Sequence, residues 1–144
     1  MCLTHYEMSK VLYNKTLTIP SSPDRIEDCL SLIHNIDKIP GIDNDLIFRL
    51  NIVILESVQN AIIHGNRNNE NKFVHFILKV YNDKIVIKVQ DEGKGFKLDL
   101  VESPLLSRNM YKEYGRGIYF ITCLSSSFRT LGKGNIVKII MKIK

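Results

Sequence analysis

Three features of the sequence predict an α+β fold, a two-layer sandwich in which helices cover one face of a mostly antiparallel mixed sheet. Two alternating apolar runs are joined by a two-residue turn, two segments carry apolar residues at helical spacing, and the chain closes on a hairpin around two glycines. The chain of 144 residues has the length of one compact domain. Residues 1–13 lack periodicity and are expected to form an N-terminal arm, with residues 14–144 as a single domain.

The elements follow in order. Residues 15–19 read as a short strand with Leu17 and Ile19 on one face. Ser21-Ser22-Pro23-Asp24 has the composition of a helix start, with a serine cap, proline in the first turn and an acid near the positive helix end. Ile26, Leu30, Ile33 and Ile36 continue that helix as a stripe until Pro40-Gly41 ends it. A longer helix fits residues 43–64, with Gly65-Asn66 as its stop. In residues 73–81, Val74, Phe76, Leu78 and Val80 alternate on one face. Asn82-Asp83 turns the chain into residues 85–91, where Ile85, Ile87 and Val89 point inward. A glycine-bearing loop and an irregular stretch, residues 97–114, precede a short helix over residues 117–124. Residues 128–131 and 136–143 form the last hairpin around Gly132-Lys133-Gly134. No internal repeat or low-complexity linker is seen.

Composition narrows the function classes. Hydrophobic residues make up 44% and charged residues 24%, ordinary values for a globular chain. The net charge of +5 and pI of about 9.1 are not concentrated in any basic block, so direct DNA binding is not expected. Cys2, Cys29 and Cys123 are far apart and make no Cys-x-x-Cys pair, which argues against a zinc site or a disulfide framework. The first ten residues hold His5, Glu7 and Lys10 rather than an apolar run. No uninterrupted apolar stretch approaches the ~20 residues that span a bilayer. A cytoplasmic, membrane-free protein is expected.

Three groups of residues carry chemistry. On the long helix, Glu56 and Asn60 lie about 40° apart at 100° per residue, and His64 continues their row. Apolar residues cover most of the remaining circumference, so this helix is expected to be buried, with Glu56 and Asn60 lining a cavity. On this helix alone, a salt-bridging glutamate and a hydrogen-bonded core asparagine explain the pair equally well. The second group is Asp91, which the two-residue period of its strand places on the core face, followed by Gly93, Gly95 and Phe96. Two glycines there let a ligand approach the backbone. The third is Gly115-Arg116-Gly117-Ile118, whose glycines would expose backbone N–H groups at a helix start, a natural phosphate site. Each of the last two is a weak signal alone.

The combination is specific. Glu56-x-x-x-Asn60-Ala61-x-x-His64-Gly65, Asp91-x-Gly93-x-Gly95-Phe96 and Gly115-Arg116-Gly117-Ile118, in this order, resemble the GHKL ATPase superfamily. That group includes gyrase, histidine kinases and mismatch-repair ATPases, and its Bergerat-type fold is the sandwich expected above. The single-domain length, and a Leu17-Thr18-Ile19-Pro20-Ser21 strand running straight into a helix, most resemble its bacterial anti-sigma-factor serine/threonine kinases. The likeness runs over residues 15–144. It implies that Glu56 is the general base, that Asn60 binds Mg²⁺, and that Asp91 accepts a hydrogen bond from the adenine amino group of ATP. It also makes His64, Gly93, Gly95, Phe96, Gly115, Arg116, Gly117 and Ile118 nucleotide-binding residues, with residues 97–114 as a lid. Arg108 or Arg116 would reach the γ-phosphate. The family often has Gly-Thr where this chain has Gly134-Asn135, which implies a looser last contact.

The implied activity is ATP-dependent phosphorylation of a Ser or Thr on a small antagonist protein, by a regulator that also sequesters a sigma factor and commonly forms a homodimer. Two alternatives stay open at the level of sequence. One is a non-catalytic ATP-binding module that sequesters a partner, and the other is the catalytic half of a two-component histidine kinase.

Overall fold

The computed structural model describes residues 9–95 and 113–144. Five strands form one sheet in the order β1-β2-β3-β5-β4. They are β1 (Val11–Pro20), β2 (Phe73–Tyr81), β3 (Lys84–Gln90), β4 (Ser127–Leu131) and β5 (Ile136–Lys142). Helices α1 (Ile26–Leu30), α2 (Asn44–Asn60) and α3 (Glu113–Leu124) complete the α+β sandwich. All four strand pairings among the described residues are antiparallel.

The sheet follows its two-residue period. Val74, Phe76, Leu78 and Val80 of β2 and Ile85, Ile87 and Val89 of β3 are buried, as are Ile139 and Met141 of β5. The register places Phe76 opposite Val89 and Leu78 opposite Ile87, so these residues form one apolar face. Packed against it are Leu46, Leu50, Val53, Ile54 and Val58 of α2. The helical segment Asn44–Gly65 is long and apolar enough to cross a membrane. Here its apolar side fills the core, which explains the same composition.

The opposite sheet face carries no acid, because none of the five strands contains Asp or Glu. Lys88 of β3 stands opposite Lys138 of β5, which stands opposite Arg129 of β4, and Lys84 stands opposite Lys142. The two ion pairs formed among the described residues, Arg25–Asp28 and Arg49–Asp45, lie elsewhere.

Several boundaries differ from the sequence reading. β1 begins at Val11, so residues 11–13 of the expected arm belong to the sheet, while residues 1–8 lie outside the described residues. The first helix is not one piece. A 3-10 turn at Pro23–Arg25, α1 and a second 3-10 turn at Ser31–Asn35 follow one another. Its buried side chains Ile26, Cys29, Leu32, Ile33 and Ile36 recur mostly in steps of three, which suits the tighter 3-10 winding. Ser31 Oγ also bonds the Asp28 carbonyl at 2.8 Å and competes with the α-helical ladder. The serine cap is not formed either: Ser22 makes no capping bond, and Ser21 Oγ donates to the Lys72 carbonyl instead.

α2 starts as expected, with Asp43 Oδ1 accepting the Leu46 N–H at 2.8 Å. Its end widens into a π-turn, Ala61–Gly65, closed by Asn66 N–H to the Ala61 carbonyl at 2.8 Å. Such wide turns are frequent at functional sites. Gly132 and Gly134 in the last hairpin adopt φ of 62° and 94°, values that favour glycine.

Candidate functional site

Residues from every sequence motif meet at one end of the sandwich. A cavity of about 500 Å³ is bounded by Asn60, His64 and Gly65 at the end of α2, by Asp91, Gly93 and Gly95 after β3, and by Ile118 of α3. A second hollow of about 200 Å³ adjoins it, lined by Glu56, Asn60, His64, Arg116 and Gly117. Asn60 and His64 line both hollows and join them. Phe96, Arg108 and most of the expected lid lie outside the described residues, and of Gly115 the structure describes only its place in α3.

Glu56 and Asn60 share one side of α2 and meet α3 at Gly117. A Cβ on Gly117 would sit 2.7 Å from Glu56 Oε2, 3.3 Å from Asn60 Nδ2 and 3.4 Å from Asn60 Oδ1. With no Cβ at this position, α3 packs directly against the ends of both side chains. The structure places the third motif differently from the sequence reading. α3 begins at Glu113, earlier than residue 117, so Gly117 and Ile118 lie within the helix rather than before it. Their backbone N–H groups fall beyond the first turn, where such groups are free to bind phosphate. Gly117 instead gives room to the Glu56–Asn60 pair, and the exposed Arg116 lines the second hollow beside it.

Asn60 Nδ2 is buried and has no hydrogen-bond partner. A buried amide left in that state is costly unless a ligand completes it. No cluster of three His, Cys, Asp or Glu among the described residues could hold a metal. The Asn60 side chain also offers a hard amide oxygen, which suits Mg²⁺, an ion that takes few protein ligands and draws the rest from phosphates and water.

Asp91 lies one residue past β3 and keeps the core-facing phase, half-buried. Burial pushes its carboxyl above the usual range, opposed by the Gly93 N–H and then by the charges of Lys133 and Lys72. Its Oδ1 accepts the Gly93 N–H at 2.7 Å. Gly65 and Gly93 enclose it: a Cβ on Gly65 would lie 2.3 Å from Asp91 Cγ, and one on Gly93 2.3 Å from the Gly65 carbonyl oxygen. Gly95, at φ 80°, lies against the Lys133 carbonyl in the last hairpin.

Several site residues escaped the sequence reading. Arg67, Lys72, Lys94 and Lys133 line the Asp91 end of the cavity, scattered over three loops with no common spacing. Asn66 is 1% exposed and bonds three segments at once. Asparagine beside a glycine helix stop carries no signal beyond that of a turn. Asn135, where the family often has threonine, bonds the Asp91 main chain, with its Nδ2 donating to the Asp91 carbonyl oxygen at 3.0 Å.

Comparison with known proteins agrees with this geometry. A family model described as a histidine kinase-like ATPase domain matches residues 19–141. The chain is 24% identical over 119 residues to serine-protein kinase RsbW of Bacillus subtilis (strain 168), covering 78% of this chain and 74% of that protein. It is 22% identical over 114 residues to serine-protein kinase RsbW of Oceanobacillus iheyensis, covering 75% and 72% of the two chains. It is also 34% identical over 94 residues to the anti-sigma F factor of Clostridium perfringens (strain SM101 / Type A), covering 63% and 67%. With the matched region spanning both the Glu56–Asn60 helix and the Asp91 turn, the chain belongs to the histidine kinase-like ATPase domain family.

Proposed function

We propose that this chain is an ATP-dependent serine/threonine kinase of an anti-sigma system, which phosphorylates a small antagonist protein and sequesters a sigma factor. The observation that carries the reading is the Glu56–Asn60 pair beneath Gly117, with Asn60 lining a cavity that ends at Asp91. The printed names of the relatives, a serine-protein kinase and an anti-sigma factor, support the substrate and partner classes.

Each residue has a role that its place allows. Asp91 Oδ1 is occupied by Gly93 N–H, which leaves Oδ2 to accept from the adenine amino group. Gly65, Gly93 and Gly95 keep the floor of the base pocket low. Asn60 would hold Mg²⁺, which neutralises phosphate charge when bound. His64, Ile118 and Arg116 flank the path from base to phosphates. Glu56 takes the proton of the attacking hydroxyl while the hydroxyl oxygen bonds to the γ-phosphorus and the bond to the β-phosphate oxygen breaks, releasing ADP. The phosphorylated product gains roughly −1.5 to −2 in charge, enough to change which partner the kinase holds. Regulation of transcription, a cytoplasmic setting and a homodimer belong to the same reading.

The test is labelled ATP with the candidate antagonist and the sigma factor. Wild type transfers label to Ser or Thr. Glu56→Gln keeps nucleotide affinity and loses roughly 10²-fold or more in transfer, the scale of a general base. Transfer undiminished in Glu56→Gln removes the base assignment. Partner binding without any transfer by wild type identifies a non-catalytic module, and acid-labile label on histidine identifies a two-component kinase.

A further inference from the structure

The turn that carries Asp91 is held far more tightly than a surface loop requires. Its three successive N–H groups are each bound to a different place. Asp91 N–H donates to the Asn135 carbonyl at 3.0 Å, Glu92 N–H to Asn66 Oδ1 at 2.7 Å, and Gly93 N–H to Asp91 Oδ1 at 2.7 Å. Asn135 also returns a bond, with Nδ2 donating to the Asp91 carbonyl at 3.0 Å. Asn135 thus grips both main-chain polar groups of Asp91 from the last hairpin.

Asn66 holds the other side. Its Nδ2 donates to Ser21 Oγ at 2.7 Å and to the Phe73 carbonyl at 2.9 Å, so it ties the Asp91 turn to the ends of β1 and β2. Its own N–H closes the π-turn that follows α2. The Glu92 carboxylate also accepts the Phe73 N–H. Neither Asn66 nor Asn135 is among the residues that line the cavity, and the side chain of each bonds the turn itself.

We propose that Asn135 and Asn66 are positioning residues that lock the Asp91–Gly93 turn in its binding geometry, and that they thereby set discrimination for the 6-amino group of a purine. The inference rests on Asp91 as the acceptor of that amino group. A single hydrogen bond discriminates only when its acceptor is already fixed in place. An acceptor on a loose turn swings to water and gives up the difference between a base with an amino group and one without.

The test compares two probes by calorimetry in Mg²⁺: ATP, and purine riboside triphosphate, which lacks only the 6-amino group. Wild type is expected to prefer ATP by about tenfold, near 1.4 kcal/mol. In Asn135→Ala that preference falls to about twofold or less, because ATP affinity drops while the analogue binds as before. Asn66→Ser, measured in the same way, gives a second reading if Asn135→Ala fails to fold. Thermal unfolding shows that each variant is native.

A variant that weakens both probes equally overturns the proposal in favour of a purely structural role. So does a variant that keeps the full wild-type preference. If wild type itself shows no preference, the Asp91 assignment falls and the proposal falls with it. That failure is seen in wild type alone and cannot be mistaken for the other two.

Discussion

At the scale of single residues, the glycines separate packing from chemistry. Gly117 sits within α3, where alanine is favoured over glycine by about 1 kcal/mol. Its missing Cβ faces the carboxylate end of Glu56, a flexible group able to move aside. Gly117→Ala is therefore expected to leave the melting temperature unchanged or slightly raised, while phosphoryl transfer falls roughly tenfold or more as Glu56 is displaced. Equal loss of stability and transfer would show that Gly117 serves the fold alone. Asp91 makes the complementary case. Its carboxyl pKa is raised by burial, so the folded state binds the proton more tightly than the unfolded chain does. The stability it contributes is present below the unfolded value of about 3.9 and is lost as pH rises through the raised folded value. Asp91→Asn keeps an acceptor for Gly93 N–H and removes the titration. The variant's melting temperature relative to wild type should climb from pH 4 to pH 7, while ATP affinity is lost. A difference that stays flat with pH would show that Asp91 is not desolvated.

At the scale of elements, the outer face of the sheet carries a cost that its pattern makes plain. Lys88, Lys138 and Arg129 stand in one row across three strands, and like charges directly opposite one another are destabilising. Lys138→Glu turns both contacts into opposite-charge pairs and is expected to stabilise the protein by about 0.5–1 kcal/mol in urea unfolding. In 1 M salt, where the screening length is about 3 Å, most of that gain should vanish. A gain that persists in salt would point to packing rather than charge. The same scale explains the first helix. Its buried positions recur mostly in threes, and Ser31 offers its hydroxyl to the backbone, so the segment winds partly as 3-10 although its stripe reads as an ordinary helix.

At the scale of the molecule, the sequence by itself determined the two layers, the strand phases and the partnership of Glu56 with Asn60. These depend on periods of 2 and 3.6 residues, and period is a local property of the chain. Asp91 was placed on the core face by the same rule, one residue past its strand. Only the tertiary structure decided what surrounds these residues. Gly117 reads in the sequence as part of a helix-start glycine turn, and the structure places it within α3, where the helix rests on Glu56 and Asn60. That role depends on how closely two helices approach, a distance no spacing encodes. Asn66 and Asn135 lie 69 residues apart and close on one turn from opposite sides, each through bonds to main-chain groups. Any residue supplies a main-chain N–H or carbonyl, so the sequence holds no sign of which one a side chain will find. The chain names the polar groups and glycines of the candidate site. The fold alone brings them within reach of one another, because burying its apolar faces joins the end of α2, the turn after β3 and the last hairpin around one cavity.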